Sequence, residues 1–196
     1  AKRPPRVRSP QPSLRYLELQ ITDQCNLRCS HCYISGSAHH ELPVQRIQEI
    51  LREFQELQGL RVMITGGEPL LHSGFSAINE MLPDFFLRRV LFTNGLLIKR
   101  DLLRNLHVDE VQISIDGLEG SHDLLRGAGS FARAIPAVRL CIEMGFAVSI
   151  STMVHAKNLD DLPKMDSLFR QMGIRDWTVD LPCVTGRLGE KPMFQL

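Results

Sequence analysis

The 196-residue chain lacks any long apolar run, since segments such as VLF at 90–92 are far shorter than a membrane-spanning helix. Such a helix needs about 20 apolar residues, so we expect no membrane partner. The chain also lacks an excess of one charge, because 23 basic and 22 acidic residues leave a net charge of +1. No overall field therefore attracts nucleic acid. The basic residues 1–13 lack the apolar stretch of a secretory signal, and we interpret them as a flexible arm.

Cysteine is scarce and unevenly placed. The five cysteines stand at positions 25, 29, 32, 141 and 183, so three of them fall within eight residues. An odd, clustered set is a poor disulfide framework for a chain of this length. The cluster indicates metal ligands in a reducing, cytoplasmic setting. Cys141 lies in the apolar stripe of a predicted helix and is interpreted as a buried small side chain.

From Tyr16 onward, strand-like and helix-like segments alternate. Strands are predicted at 16–22, 61–65, 89–94, 109–116, 147–154 and 176–181, and helices at 44–57, 131–144 and 158–173. Asn158 is predicted to cap the last helix. Pro136 fits the second one only in or near its first turn. This alternation predicts βαβ units and a parallel sheet.

Several strands alternate between apolar and polar residues instead of being apolar throughout. Val111, Ile113 and Ile115 oppose Gln112, Ser114 and Asp116; Leu17, Leu19 and Ile21 oppose Glu18, Gln20 and Thr22; Trp177 and Val179 oppose Thr178 and Asp180. Parallel strands buried on both faces would be continuously apolar. We therefore predict an α/β fold, a partial (βα)6 barrel with parallel strands, whose apolar face is covered by helices and whose polar face lines a wet cavity.

Polar or glycine-rich segments follow four of these strands: DQCNLRCSHCY at 23–33, TGGEPLL at 65–71, TNG at 93–95 and SIDG at 114–117. The carboxyl ends of parallel strands meet at one rim, where barrel enzymes carry their active sites. The sequence therefore places the functional site at this rim.

Cys25, Cys29 and Cys32 form a C-x3-C-x2-C motif on the first of these loops. Three thiolates on a tight loop bind a soft metal or an iron–sulfur cluster. A structural zinc site needs a fourth ligand, which His31, His39 or His40 would supply. A cubane cluster on three cysteines instead leaves one iron open to a small molecule. At this point the motif leaves both interpretations open.

The motif CNLRCSHC at 25–32, together with the rim segments, resembles the signature of the radical S-adenosylmethionine superfamily. The resemblance continues through TGGEP at 65–69, TNG at 93–95, SIDG…HDLLRG at 114–127 and GRLG at 186–189. Within the superfamily, the sequence is similar to the SPASM or twitch type of maturases that act on peptides and tetrapyrroles. It implies a radical domain over residues 14–189, with 190–196 the start of a missing or truncated C-terminal region, and leaves auxiliary clusters in doubt.

This resemblance implies two cofactors and a set of residues that bind them. Cys25, Cys29 and Cys32 would hold a [4Fe-4S] cluster, whose open iron chelates S-adenosylmethionine. Gly66 and Gly67 would allow close backbone approach, and Glu68 would accept from the ammonium group. Ser114 and Asp116 would contact ribose, although Asp116 equally suits a turn before Gly117. Residues with further implied contacts are Arg126 for the carboxylate, Tyr33 for adenine and Asn94 either for the ligand or for a turn.

The implied reaction is the reductive cleavage of S-adenosylmethionine to methionine and a 5′-deoxyadenosyl radical, which abstracts hydrogen from a substrate. The electron would come from a flavodoxin or ferredoxin. Peptide maturation and cofactor biosynthesis, including the heme type, are both compatible with the motifs. Two alternatives stay open: a non-catalytic iron–sulfur or zinc protein, and a nucleic-acid-modifying radical enzyme whose arm at 2–8 binds phosphates.

Overall fold

The computed structural model describes residues 14–34, 40–181, 186–190 and 194. The predicted arm at 1–13, as well as His39 and Cys183, lie outside the described residues. The strands are β1 Tyr16–Thr22, β2 Arg61–Gly66, β3 Arg88–Thr93, β4 Glu110–Ser114, β5 Ala147–Met153 and β6 Asp176–Asp180. The helices are α1 Val44–Glu56, α2 Phe75–Met81, α3 Arg100–Arg104, α4 Glu119–Arg126, α5 Ser130–Glu143 and α6 Leu162–Gln171.

The six strands form one parallel sheet in the order of the chain, from β1 to β6. Its edges are β1 and β6, and no pairing between them closes the sheet within the described residues. The predicted partial (βα)6 barrel is therefore confirmed, and the predicted strands agree with the observed ones to within two residues. None of the helices in the described ranges has the length and apolar character needed to cross a membrane.

The two faces of the sheet differ in polarity as the alternation predicted. Val111, Ile113 and Ile115 are buried in an apolar cluster with side chains of α5 and α6. Leu19 and Ile21 are buried in a second cluster with side chains of α1. Val179 was predicted to lie on the covered apolar face, and this prediction is wrong because its side chain is 48% exposed. It lies on an edge strand, and no α-helix within the described residues follows β6 to cover it.

The opposite face of the sheet is polar, and a charged group lies across it at the amino ends of the strands. The buried carboxylate of Glu110 accepts hydrogen bonds from Ser149 Oγ at 2.6 Å, Arg88 Nη2 at 2.8 Å and Arg61 Nη2 at 3.3 Å. Although burial acts to raise the pKa of Glu110, these partners hold it below its ordinary value. The interior is therefore blocked at the amino ends of the strands and open at their carboxyl ends.

Pro136 lies in the second turn of α5, so the prediction that it would stand in or near the first turn is wrong. An interior proline removes one backbone hydrogen bond and crowds the preceding turn, at a cost of about 3 kcal/mol. The helix nevertheless continues through it because Ala134, Ala137, Val138 and Cys141 are buried against the sheet. The predicted burial of Cys141 is confirmed.

Asn158 does not cap the last helix with its side chain, which corrects a third prediction. A short 3₁₀ turn at Leu159–Asp161 precedes α6. The Asn158 amide instead donates to the backbone carbonyls of Asp116 at 2.7 Å and Met153 at 2.9 Å. It thereby joins the segments that follow β4 and β5, at the rim where the site lies.

Candidate active site

A cavity of about 310 Å³ opens at the carboxyl ends of the strands. Ten of the eleven residues singled out from the sequence line it: Cys25, Cys29, Cys32, Tyr33, Gly66, Gly67, Asn94, Ser114, Asp116 and Arg126. The cavity is at the small end of the range typical of ligand sites. The rim predicted from the strand-end motifs is thus the concave site of the fold.

The cysteine loop, which we define as residues 23–34, connects β1 to this cavity. Its backbone is held from two sides, because Ser30 N donates to Leu125 O at 2.8 Å and Arg187 N donates to Cys32 O at 3.1 Å. Cys25 is exposed, Cys29 is buried and Cys32 is intermediate. No group of three His, Cys, Asp or Glu side chains has metal-binding geometry within the described ranges. The three thiols line one cavity without yet converging.

Burial disfavours the thiolate form at two positions of this loop, Cys25 and Cys29. Burial raises the pKa of Cys29 to about 11, and the Arg126 guanidinium opposes that rise. Burial also raises the pKa of Cys25, while a hydrogen bond from Leu27 N lowers it. Because metals bind thiolates, loading a metal here must release protons.

Gly66 and Gly67 allow the GGEP turn to pack directly on the stem of the cysteine loop. A Cβ on Gly66, whose φ is +153°, would lie 2.3 Å from Thr22 O. A Cβ on Gly67 would lie 2.3 Å from Gln24 O. The turn donates to the stem from Gly67 N to Thr22 O at 2.8 Å and from Glu68 N to Gln24 O at 2.7 Å. The close approach predicted for these glycines is therefore to the protein's own backbone.

Glu68 does not line the cavity and is fully buried beneath it. Its carboxylate accepts from Thr93 Oγ1 at 2.8 Å, Asn94 N at 2.9 Å and Leu70 N at 3.3 Å. Burial raises the pKa of Glu68, and these hydrogen bonds oppose the rise. The Glu68 carboxylate thus ties the GGEP turn to the TNG turn, and its contact with a ligand ammonium stays a prediction.

Asp116 and Arg126 form a buried ion pair that the sequence analysis did not find. Arg126 Nε donates to Asp116 Oδ2, and the two side chains are only 11% and 1% exposed. Although burial acts to raise the pKa of Asp116, the adjacent guanidinium brings it below its ordinary value. Asp116 Oδ1 also accepts from Met153 N at 2.7 Å. Arg126 therefore presents a fixed cation to the cavity.

The turn after Asp116 is not ordered by that residue's side chain, which answers the alternative left open by the sequence. Leu118 N donates to Asp161 Oδ2 at 2.9 Å, and Ser121 Oγ also contacts this carboxylate. The backbone of Asp116 is held separately, since its N–H donates to His122 Nδ1 at 3.0 Å. His122 thus has a structural role in the loop after β4.

Asn94 serves both as a turn former and as a partner of the cysteine loop. Its Oδ1 accepts from Leu96 N at 2.9 Å, and its Nδ2 donates to Asn26 Oδ1 at 2.8 Å. Ser114 is buried at the end of β4 and faces the cavity. Tyr33 is 58% exposed at the cavity mouth, where its hydroxyl lies 3.4 Å from Gln20 Oε1.

Three histidines surround the Asp116–Arg126 pair with one ring nitrogen each unpartnered. These atoms are His31 Nδ1, His122 Nε2 and His155 Nε2, which have no hydrogen-bond partner within the part of the chain described. Burial lowers the pKa of His31 to about 4 and that of His122 to about 4, and Arg126 adds to both effects. These imidazoles are therefore neutral near pH 7.

The stability of the chain is expected to fall as the pH drops from 6.5 to 4, because of these histidines. The unfolded chain binds protons at 6.5, whereas the folded pKa of His122 is about 4. The contribution of neutral His122 to the free energy of unfolding is thus fully present above pH 6.5. Roughly 2–3 kcal/mol of that free energy is lost as the pH falls across this window. His122→Gln keeps an acceptor for Asp116 N but does not titrate, so denaturant unfolding should show a shallower drop. His107→Gln, at an exposed histidine, should keep the wild-type profile; equal slopes in all three chains would contradict this account.

Three residues that the sequence analysis did not assign to the site complete it. Asn158 fixes the backbone of Asp116 and Met153, as described above. The Arg187 side chain donates to Cys29 O at 3.2 Å. Asp180 lines the cavity at the end of β6. The GRLG motif could have identified Arg187 as a site residue. Asn158 and Asp180 belong to no sequence motif that would have indicated a place in the site.

The fold and the site define an α/β enzyme class with an open parallel barrel and a three-cysteine loop at its carboxyl rim. The Radical SAM superfamily model matches residues 19–169, so this chain belongs to the radical SAM superfamily, as its motifs predicted. Members of the superfamily are enzymes that use a [4Fe-4S] cluster and S-adenosylmethionine.

Two curated relatives show the range of the similarity. Pre-heme d1 synthase of Dinoroseobacter shibae is 29% identical over 87% of this chain and 44% of its own length. Mycofactocin maturase MftC of Mycolicibacterium smegmatis is 32% identical over 80% of this chain and 42% of its own length. The chain thus spans less than half the length of these relatives.

Solved structures of Streptococcus suis SuiB share the fold. The S-adenosylmethionine-bound form has a TM-score of 0.78 at 18% identity, over 87% of this chain and 41% of SuiB. The form bound to precursor peptide SuiA has the same TM-score and identity over 88% of this chain and 40% of SuiB. This likeness confirms the partial barrel.

Proposed function

We propose that residues 14–189 form the catalytic domain of a radical S-adenosylmethionine enzyme that acts on a peptide or a cofactor precursor. Cys25, Cys29 and Cys32 would hold a [4Fe-4S] cluster, and S-adenosylmethionine would occupy the cavity beside them. When bound, this pair of groups supplies hydrogen-atom abstraction through reductive cleavage of S-adenosylmethionine. The observation that carries the proposal is the meeting of three thiols and a buried guanidinium in one cavity of a radical SAM chain.

The donor set of the cysteine loop fits an iron–sulfur cluster. Thiolates are the ligands that such clusters prefer, and three of them leave one iron open. Arg126 adds a positive charge that lowers the pKa of both Cys25 and Cys29. The loop therefore has both the ligands and the local charge for a cluster that carries net negative charge.

The remaining lining residues fit the groups of S-adenosylmethionine. The planar guanidinium of Arg126 suits a carboxylate, and Asp116 holds it in orientation. Ser114 offers a hydroxyl to the ribose, and Tyr33 offers a ring to the adenine at the cavity mouth. In this proposal Gly66 and Gly67 hold the backbone in place, while Asn94 positions the cysteine loop through Asn26. Glu68 acts indirectly, because it fixes the turns that carry these residues.

Apolar side chains also line the cavity in which hydrogen would be abstracted. The ring of Phe92 and the apolar side chains of Leu27, Ile34 and Met153 line the cavity among its polar groups. The charged group at Glu110 blocks the opposite end of the barrel.

The substrate would enter through the open side of the sheet, between β1 and β6. A peptide is supported by the maturase among the relatives, and a tetrapyrrole precursor is supported by the heme-type synthase. A flavodoxin or ferredoxin would supply the electron, since the motifs of this chain include no flavin site.

Formation of 5′-deoxyadenosine tests this proposal. The anaerobically reconstituted protein is mixed with dithionite and S-adenosylmethionine, and the product is quantified by chromatography. We expect 5′-deoxyadenosine to accumulate slowly, and faster when the correct peptide or tetrapyrrole is added. A reconstituted protein that holds zinc in place of iron, or that binds a cluster but leaves S-adenosylmethionine intact, would overturn the proposal and favour a structural metal site.

A further inference from the structure

Gly186 and Arg187, which follow β6 in the chain, lie against the loop after β1, although β1 and β6 are the opposite edges of the open sheet. We name Gly186 and Arg187 the clasp. Arg187 N donates to Cys32 O at 3.1 Å, and Arg187 Nη1 donates to Cys29 O at 3.2 Å. The clasp therefore lies against the cysteine loop and holds the carbonyls of two of the three cysteines.

Gly186 allows this contact to be so close. Its φ is +56°, in the left-handed region that favours glycine. A Cβ at this position would lie 2.6 Å from Cys32 O and 2.8 Å from Tyr33 Cα. Any other residue would therefore push the clasp away from the cysteine loop. By contrast, a Cβ on Gly189, three residues further along, meets nothing within 4 Å.

The Arg187 side chain is well suited to this task. It is partly buried, and its guanidinium is a charged donor directed at a backbone carbonyl rather than at a carboxylate. Such charge-assisted hydrogen bonds are about twice as strong as neutral ones. Peptide groups so held cannot rotate freely, so the backbone positions from which the Cys29 and Cys32 side chains project are restrained.

We infer that Arg187 is a positioning residue of the cysteine loop, which keeps Cys29 and Cys32 in place to hold the cluster. The inference deepens the proposed function and rests on it for the cluster, whereas the restraint on the loop is a property of the chain itself.

Two variants and two matched controls test the clasp. Arg187→Gln removes the charged donor, and Gly186→Ala introduces the Cβ that the contact excludes. The control for the first is Arg170→Gln on the exposed surface of α6. The control for the second is Gly189→Ala in the same segment. Circular dichroism and thermal melts of the apo chains identify any variant that fails to fold.

The first measurement is the rate at which a ferrous chelator removes iron from the reconstituted protein, followed by absorbance. Loss of one charge-assisted hydrogen bond corresponds to about a tenfold change in an equilibrium. We expect iron release from the Arg187→Gln and Gly186→Ala chains to be about tenfold faster than from wild type. Both controls should release iron at the wild-type rate. Equal rates in all chains would overturn the inference while leaving the proposed function intact.

The second measurement uses the apo chain and so does not depend on any cluster. Cys29 is 8% exposed, so its alkylation by iodoacetamide reports opening of the loop. We expect Cys29 to be modified about tenfold faster in both clasp variants, as followed by peptide mass spectrometry. Unchanged alkylation would overturn the inference even if wild type took up no cluster. Absence of any cluster in wild type, with faster alkylation in the variants, would instead overturn the proposed function.

Discussion

The Cys29→Ala chain is expected to take up less than one full cluster and to form 5′-deoxyadenosine at least about 100-fold more slowly than wild type. Groups that merely support metal ligands already change affinity or activity by about 10–100-fold, so loss of a ligand should cost at least as much. Cys29 is the most buried thiol of the cysteine loop and lies beside the charge of Arg126. Iron and sulfide analysis together with the product assay measures both effects.

Cys141→Ala is the matched control for this prediction. Cys141 is also buried and free, but it lies in α5 within the apolar cluster. Its replacement should lower stability by about 1 kcal/mol and leave the iron content unchanged. A Cys29→Ala chain that retained full iron and wild-type turnover would show that this thiol is not a cluster ligand.

Asp116→Asn is expected to give the second largest effect, because it leaves the buried Arg126 without a counter-charge. Removing one partner of a buried pair costs about 3–5 kcal/mol. The amide oxygen can still accept from Met153 N, so the loss should come from the missing charge. We expect the free energy of unfolding to fall by about 3 kcal/mol and S-adenosylmethionine to bind at least about tenfold more weakly, as measured by equilibrium dialysis.

An exposed carboxylate provides the control for Asp116. Asp166→Asn breaks the pair with Arg170 on the surface of α6. Exposed pairs of this kind contribute about 0.5 kcal/mol or less. If the two substitutions had equal effects on unfolding, Arg126 would not depend on Asp116 for its place in the cavity.

The sequence was sufficient to predict the sheet and the rim that carries the site. Strands such as β4 show strict alternation, and this period of two reports which face is buried. Glycine-rich and polar segments directly after four strands then locate the rim, because parallel strands all end on one side. The three cysteines could be predicted to lie together because their spacing is local and one short loop carries all of them.

What the sequence did not give are contacts between distant segments. The Asp116–Arg126 pair was missed because the resemblance assigned each residue to a ligand separately. The hydrogen bonds of the Glu68 carboxylate to Thr93 and Asn94, on the turn after the next strand, were also not predicted. Asn158 looked like a helix cap, because the cap pattern is local and its actual partner, Asp116, is 42 positions away.

Packing also overrode a local preference at Pro136. An interior proline removes one backbone hydrogen bond, whereas the helix buries four neighbouring side chains against the sheet. Tertiary burial of this size exceeds the local cost.

Electron paramagnetic resonance of the reconstituted, reduced protein, with and without S-adenosylmethionine, tests the central claim most directly. The cavity beside Cys25, Cys29 and Cys32 predicts a [4Fe-4S] signal that changes when S-adenosylmethionine is added, because the ligand reaches an iron that no protein side chain occupies. The Asp116→Asn chain should need a higher concentration for the same change. A cluster signal that is identical with and without S-adenosylmethionine would contradict the account and make the cysteine loop a structural element.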